Sequence, residues 1–189
     1  MPMPRQLRAE GLVLRAWCGD DAELLRPVLL ANQEHLKRWI PEQVYSAPPL
    51  PELVERLEEF AANFAAGRAF RYALRDAHDD RILGGMSLFP RDTRSRVQLE
   101  RADRVELGYW LDAAVTGRGL VTRGAEALLG AAATLPDVAL AEIHCHVGNA
   151  PSNAVPRRLG FELAGTHGEM QLWRRALVVA GDASRRADS

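Results

Sequence analysis

The chain has 189 residues, 24 basic against 25 acidic side chains and a formal net charge of -1. That length fits one domain, 1–189, and an apolar share of 47% is enough for a real core. The charge balance gives no bulk positive field for a nucleic acid backbone or an anionic membrane, so neither is expected as a partner.

Lys37 is the only lysine, which leaves Schiff-base chemistry a single candidate. Cys18 and Cys145 are the only cysteines, too few for a disulfide scaffold, so a reducing cytoplasm is the expected compartment. No apolar h-region follows Met1–Arg5, so no signal peptide is expected. The longest apolar stretch, 125–143, is broken by Gly130, Thr134, Pro136, Asp137 and Glu142 and cannot span a bilayer.

In chain order, residues 1–6 read as a frayed terminus and Leu12–Leu14 as a first strand. Asp20 or Asp21 caps a helix with Leu24, Leu25, Val28 and Leu29 as its apolar positions. A second helical pattern, 32–39, ends at Pro41, and 46–51 is a connector. An amphipathic helix follows over 52–66 and stops at Gly67. Period-two patterns then predict strands at 70–74 and 82–89 around a turn at 76–80, a charged loop over 90–101, and a strand over 105–111. A turn at 117–122 leads to a helix over 123–135, a strand over 141–147 and a short helix over 153–159. Strands 161–166 and 170–179 close the order, with a polar tail at 181–189 expected to be flexible and about 7–180 ordered. The result is a mixed α/β domain whose one strand–helix–strand crossover, 105–147, is expected to be parallel.

The junction after strand 105–111 carries the chemistry. Gly117 and Gly119 let backbone approach a ligand, and the first N–H groups of the helix point outward at its positive end, a site for phosphate oxygens. It is not a P-loop, because no Lys follows the glycines. It is not the dinucleotide fingerprint, because Thr122 stands where the third glycine belongs. A Gly-x-Gly of this kind could by itself be no more than a tight turn.

Four pieces in order are more specific: Glu106-Leu107-Gly108-Tyr109-Trp110-Leu111, Gly117-Arg118-Gly119-Leu120-Val121-Thr122, Asn149-Ala150-Pro151-Ser152-Asn153 and Leu159-Gly160-Phe161. Together with Leu12–Arg15 and Trp39-Ile40-Pro41, they resemble the GNAT superfamily of acetyl-CoA-dependent N-acetyltransferases, within it the RimJ/RimL branch, over roughly residues 7–175. The resemblance implies a GNAT fold: a mixed central sheet with two splayed parallel strands and flanking helices. It implies acetyl-CoA as co-substrate, no metal, and transfer of an acetyl group to a primary amine by direct attack in a ternary complex. The acceptor implied for the branch is a protein N-terminal amine. A small-molecule amine such as an antibiotic or polyamine is the alternative, and a non-catalytic acyl-CoA-binding module is the rival from another class. Relatives of this kind are often homodimers.

The resemblance also implies site residues. The pyrophosphate would rest on Gly117, Arg118, Gly119, Leu120, Val121 and Thr122, with Arg123 beside them, and the pantetheine arm on the backbone of Trp110 and Leu111 and on Asn149 and Asn153. Ala114 departs from the Gln or Arg often found three residues before the first glycine. Glu106 matches the branch's base, and a partly buried carboxylate is expected to be raised in pKa by desolvation. A solvated face or a pair with Arg104 is the alternative for Glu106. Ser152 matches the acid for the departing thiolate, and could equally be the N-cap of helix 153–159. Cys145 reads as a buried small apolar residue rather than an acyl carrier. His144 and His146 share a strand face without further ligands nearby. His35 and Trp39 are candidates for the acceptor pocket.

Overall fold

The computed structural model describes residues 3–177. The expected tail at 181–189 and the last residues of the strand expected over 170–179 lie outside them. Eight strands form one open sheet in the order β1-β2-β3-β4-β5-β6-β8-β7. They are β1 (Gln6–Ala9), β2 (Leu12–Ala16), β3 (Phe70–Asp76), β4 (Ile82–Arg91), β5 (Arg104–Leu111), β6 (Leu140–His146), β7 (Glu162–His167) and β8 (Met170–Ala176). Five helices flank it: α1 (Ala22–Leu36), α2 (Glu42–Tyr45), α3 (Leu50–Ala65), α4 (Leu120–Ala132) and α5 (Ala150–Arg158).

The strict alternation of side chains along each strand assigns one residue set to each face. Val105 and Leu107 on β5, Ile143 and Cys145 on β6, and Tyr72 and Leu74 on β3 pack with Val121, Leu128 and Leu129 of α4 in the larger core. Ala73, on the opposite face, packs with Leu25 and Leu29 of α1 and Leu53 and Leu57 of α3. Trp110 lies against this second core. Glu106 and Gly108 share its face by register.

The expected elements form, with instructive shifts. The start is not frayed: Met3 is buried, Tyr72 Oη donates to the Pro4 carbonyl at 2.8 Å, and β1 adds an edge strand. Its residues are partly exposed, so no apolar pattern marks it. The two helical patterns around residues 20–39 are one helix, α1. Pro27 lies in its second turn, and Asn32 carries the helix on. Leu24, expected in the core, is 49% exposed. Helix α4 starts at Leu120, three residues before the expected 123, so Leu120–Thr122 are its first turn and not a loop. Helix α5 likewise starts at Ala150, with Asn149 and not Ser152 as its N-cap.

The parallel pair decides the shape of the site. β5 and β6 are paired only at Arg104↔Leu140, Val105↔Ala141 and Glu106↔Glu142. Beyond Glu106 they separate, as expected. β6 stays bonded to β8 along its whole length, and β5 to β4. The edge of β5 over 107–111 therefore has no partner strand among the described residues.

Candidate active site

The opening between β5 and β6 joins the two faces of the sheet. On the α4 side, Gly117 and Gly119 take left-handed backbone, φ +77° and +71°, where a β-carbon would be strained. That conformation turns the chain so that no acceptor among the described residues meets the N–H groups of residues 117–122. Helix α4 is 13 residues long and adds its dipole to those donors. Thr122 Oγ1 is buried and without a partner. These unspent groups fit a pyrophosphate.

The arginines near this loop do something else. Arg123 donates from Nε to the Glu10 carbonyl and from its terminal nitrogen to the Arg118 carbonyl, both at 3.1 Å, and so braces the loop. Arg118 reaches the Ala114 carbonyl at 3.3 Å. The start of the loop is fixed from α1. Buried Asn32 accepts from Ala113 N at 2.8 Å and donates to Asp112 at 3.1 Å.

Along the unpaired edge, the alternation that sends Asp112 N to the Leu83 carbonyl of β4 turns the main-chain groups of Tyr109 and Leu111 toward the opening, while the Trp110 carbonyl lies against Gly84 of β4. The Asn149 carboxamide oxygen accepts from Ser152 N at 3.2 Å, so this side chain caps α5. Asn153 is buried and fully engaged: it donates to the His146 carbonyl (2.8 Å) and the Asn149 carbonyl (2.9 Å) and accepts from Trp173 Nε1 (3.1 Å). Its geometry locks α5 to β6 and β8, with both side-chain polar atoms already in hydrogen bonds.

Ser152, Tyr109 and Cys145 meet on the α4–α5 side of the opening. Tyr109 Oη donates to the Ser152 carbonyl at 2.9 Å, and Ser152 Oγ donates to Tyr109 Oη at 3.3 Å. Cys145 Sγ lies 3.4 Å from Ser152 Oγ. Burial pushes the Tyr109 hydroxyl well above its ordinary range and also raises the Cys145 thiol, so both stay protonated at neutral pH. A neutral, buried Cys145 is a poor nucleophile. Tyr109 was not singled out from the sequence. Its signal was its place in the 105–107–109–111 alternation, which puts it on the same face as Cys145.

Glu106 lies on the other face, at the last paired residue before the strands part. Its partners are not Arg104, which is bound to Asp103 and Glu142. They are Arg91 on β4 and Arg96, whose guanidinium is 2.9 Å away. Burial pushes its carboxyl up, as expected. The Arg96 charge and the Arg91 and Arg96 hydrogen bonds outweigh that, so the net shift is downward. The expectation of a raised pKa is corrected: the sequence shows the burial but not the two arginines, one from the end of β4 and one from the loop after it. Trp39, from the segment after α1, reaches β6, with its ring 5.5 Å from that of His146. His35 is exposed on α1. Among the described residues no cluster of His, Cys, Asp and Glu could hold a metal ion. Nor is any helix long and apolar enough to cross a membrane.

The family described as the acetyltransferase (GNAT) domain matches residues 11–162, well over half of the chain. The chain belongs to the GNAT acetyltransferases. It is an acetyl-CoA-dependent acyltransferase related to the ribosomal-protein N-acetyltransferases. It is similar to YdaF of Bacillus subtilis (strain 168), named as a ribosomal N-acetyltransferase, with 27% identity over 154 residues, 80% of this chain and 78% of the relative. A shorter stretch of 60 residues is 38% identical to the ribosomal-protein-serine acetyltransferase of Escherichia coli (strain K12), covering 32% of this chain and 34% of that one. Among solved structures, RimL, the ribosomal L7/L12 α-N-protein acetyltransferase in complex with coenzyme A, superposes with a TM-score of 0.76 at 22% identity. The match covers 95% of this chain and 99% of that one. The microcin C7 self-immunity acetyltransferase MccE, in complex with acetyl-CoA and AMP, superposes with a TM-score of 0.74 at 19% identity, covering 88% and 93%. The GNAT fold expected from the sequence is the fold observed, and the mixed sheet with its one parallel pair is its core.

Proposed function

We propose that this GNAT enzyme acetylates the N-terminal amine of a protein, as a single catalytic domain in the cytoplasm. One observation carries the reading: the opening between β5 and β6 has anion-seeking backbone and a protonated hydroxyl cluster on one face, and a carboxylate on the other. The names of YdaF and RimL support a ribosomal protein as the acceptor.

In this reading acetyl-CoA enters from the α4 face. The N–H groups of residues 117–122 hold its pyrophosphate, with Thr122 Oγ1 as a further donor. The free edge of β5 at Tyr109 and Leu111 pairs with the amide-bearing pantetheine arm as an added strand would. The amine arrives from the α1–α3 face, past Trp39. Its nitrogen attacks the thioester carbonyl carbon, the C–N bond forms and the C–S bond breaks. Glu106 takes the amine proton through water, and Ser152 Oγ gives its proton to the departing thiolate. Tyr109 holds Ser152 in place by its two hydrogen bonds. Asn149 and Asn153 act by fixing α5.

Acetyl-CoA must raise the melting temperature, since a ligand specific for the folded state stabilises it. Glu106→Gln should lower the rate of acetyl transfer by about 10²–10⁴-fold. An unchanged rate would falsify the assignment of the base. Light scattering of the purified chain checks the dimer that the resemblance implies.

A further inference from the structure

One cluster on the α1–α3 face is not accounted for by the transfer chemistry. Arg71 on β3 places its guanidinium 4.3 Å from the Phe60 ring centre and 5.1 Å from that of Phe89. Arg96 lies over the same Phe89 ring at 3.7 Å. Arg71 makes no ion pair and no side-chain hydrogen bond among the described residues. Glu59 is close enough to be felt but does not pair with it. Arg91 keeps a buried Nε–H without a partner. Three guanidinium groups thus share one bonded carboxylate, that of Glu106.

Converging like charges at a partly buried spot cost free energy, and burial together with the Arg96 charge pushes the Arg71 guanidinium down from its ordinary range. An anion brought between Arg71 and Arg96 relieves both. Planar guanidinium groups are suited to receive a carboxylate on two N–H donors each.

Sheet register places this cluster relative to the reaction. Arg71 is paired with Ser87 on β4, and Ser87 with Gly108 on β5. This row runs beside the one holding Phe89 and Glu106. Gly108 has no side chain, and a β-carbon there would meet only Phe89, at 3.8 Å, so the row has a low floor. It leads from the free edge of β5 to Arg71 across two strand spacings of roughly 4.8 Å, or about 10 Å.

We propose that this row is the acceptor groove and that Arg71 with Arg96 binds an anionic group of the acceptor, so that the substrate is a primary amine carrying a carboxylate about 10 Å from its nitrogen. An extended peptide advances roughly 3.3 Å per residue. In a protein N-terminus the carboxylate is therefore the side chain of Asp or Glu at the second or third residue. The inference rests on the amine acceptor proposed above.

The test uses the full chain, two peptides that differ only in Asp or Asn at the third residue, and 8-aminooctanoate against its amide. Transfer is read as thiol release. Binding is read separately, as peptide affinity in the presence of coenzyme A. Expected is about a tenfold lower KM and Kd for the acidic member of a pair, lost in Arg71→Met, which keeps the apolar cover over Phe60 and Phe89. The uncharged member should bind Arg71→Met as it binds the parent. A preference confined to the peptides makes the source a protein. A preference confined to 8-aminooctanoate makes it a small molecule with the same chemistry. Equal Kd for both members, or a preference that survives in Arg71→Met, overturns the proposal. Failure of all transfer with the binding preference intact overturns the acceptor reading and not the anion site.

Discussion

Arg91→Gln tests how the proposed base is poised. In the parent, the Glu106 side chain is 14% exposed and bound by Arg91, itself 22% exposed, and by Arg96, 51% exposed. Arg96 supplies the leading charge on the carboxyl, and its exposure lets solvent screen part of it. A hydrogen bond between charged groups contributes about 1.5–3 kcal/mol. Removing Arg91 takes away one of the groups that hold the Glu106 carboxyl down, so the carboxyl should rise. The parent carboxyl lies below the usual range, so its acid limb in kcat/KM falls below about pH 4.3, the ordinary glutamate value. In Arg91→Gln the limb should lie at higher pH than in the parent. The sign for stability is the same. A depressed carboxyl stabilises the fold above its unfolded value and loses that contribution as pH falls through its folded value, and the variant begins to lose it at higher pH. The assay is kcat/KM from pH 5 to 9 by thiol release, with carboxyl carbon NMR as a direct titration. A carboxyl resonance that titrates where the parent's does would refute the electrostatic argument. A shifted resonance with an unshifted rate limb would refute the base role.

Other expectations follow from the same geometry. Tyr109→Phe removes the anchor of Ser152 and should lower kcat while leaving the KM for acetyl-CoA near the parent value; steady-state kinetics separates the two. Gly119→Ala forces a β-carbon into left-handed backbone at a cost of about 1–2 kcal/mol. It should raise the KM for acetyl-CoA roughly tenfold, and a parent-like KM would argue against this loop as the phosphate site. Asn32→Ala strips the lock between α1 and the 112–113 turn and should cost about 1–3 kcal/mol in urea unfolding.

The sequence carries the frame of the site because the frame is local. The alternation 105–107–109–111, the glycines at 117 and 119 and the proline-led start of α5 each have a signature within a few residues. What it does not carry is long-range. Arg91 reaches Glu106 from the end of the neighbouring strand β4 and Arg96 from the loop after it, whose composition looks merely charged, so the direction of the Glu106 shift is not legible in the sequence. Asn32 joins residues 80 positions apart. Edge strand β1 is visible only through its partner, because neither face of it is buried deeply enough to impose a period. Asn153 is expected among the coenzyme contacts, yet its carboxamide is engaged by the His146 and Asn149 carbonyls and by a tryptophan on a distant strand.

The unpaired edge of β5 has a consequence outside catalysis. A bare strand edge is a template for any extended chain that meets it, including that of a neighbouring molecule. Without its co-substrate the enzyme offers such an edge over 107–111, set in a cleft that β6 cannot close because it is committed to β8. Coenzyme then does for the protein what a capping strand does for an open sheet.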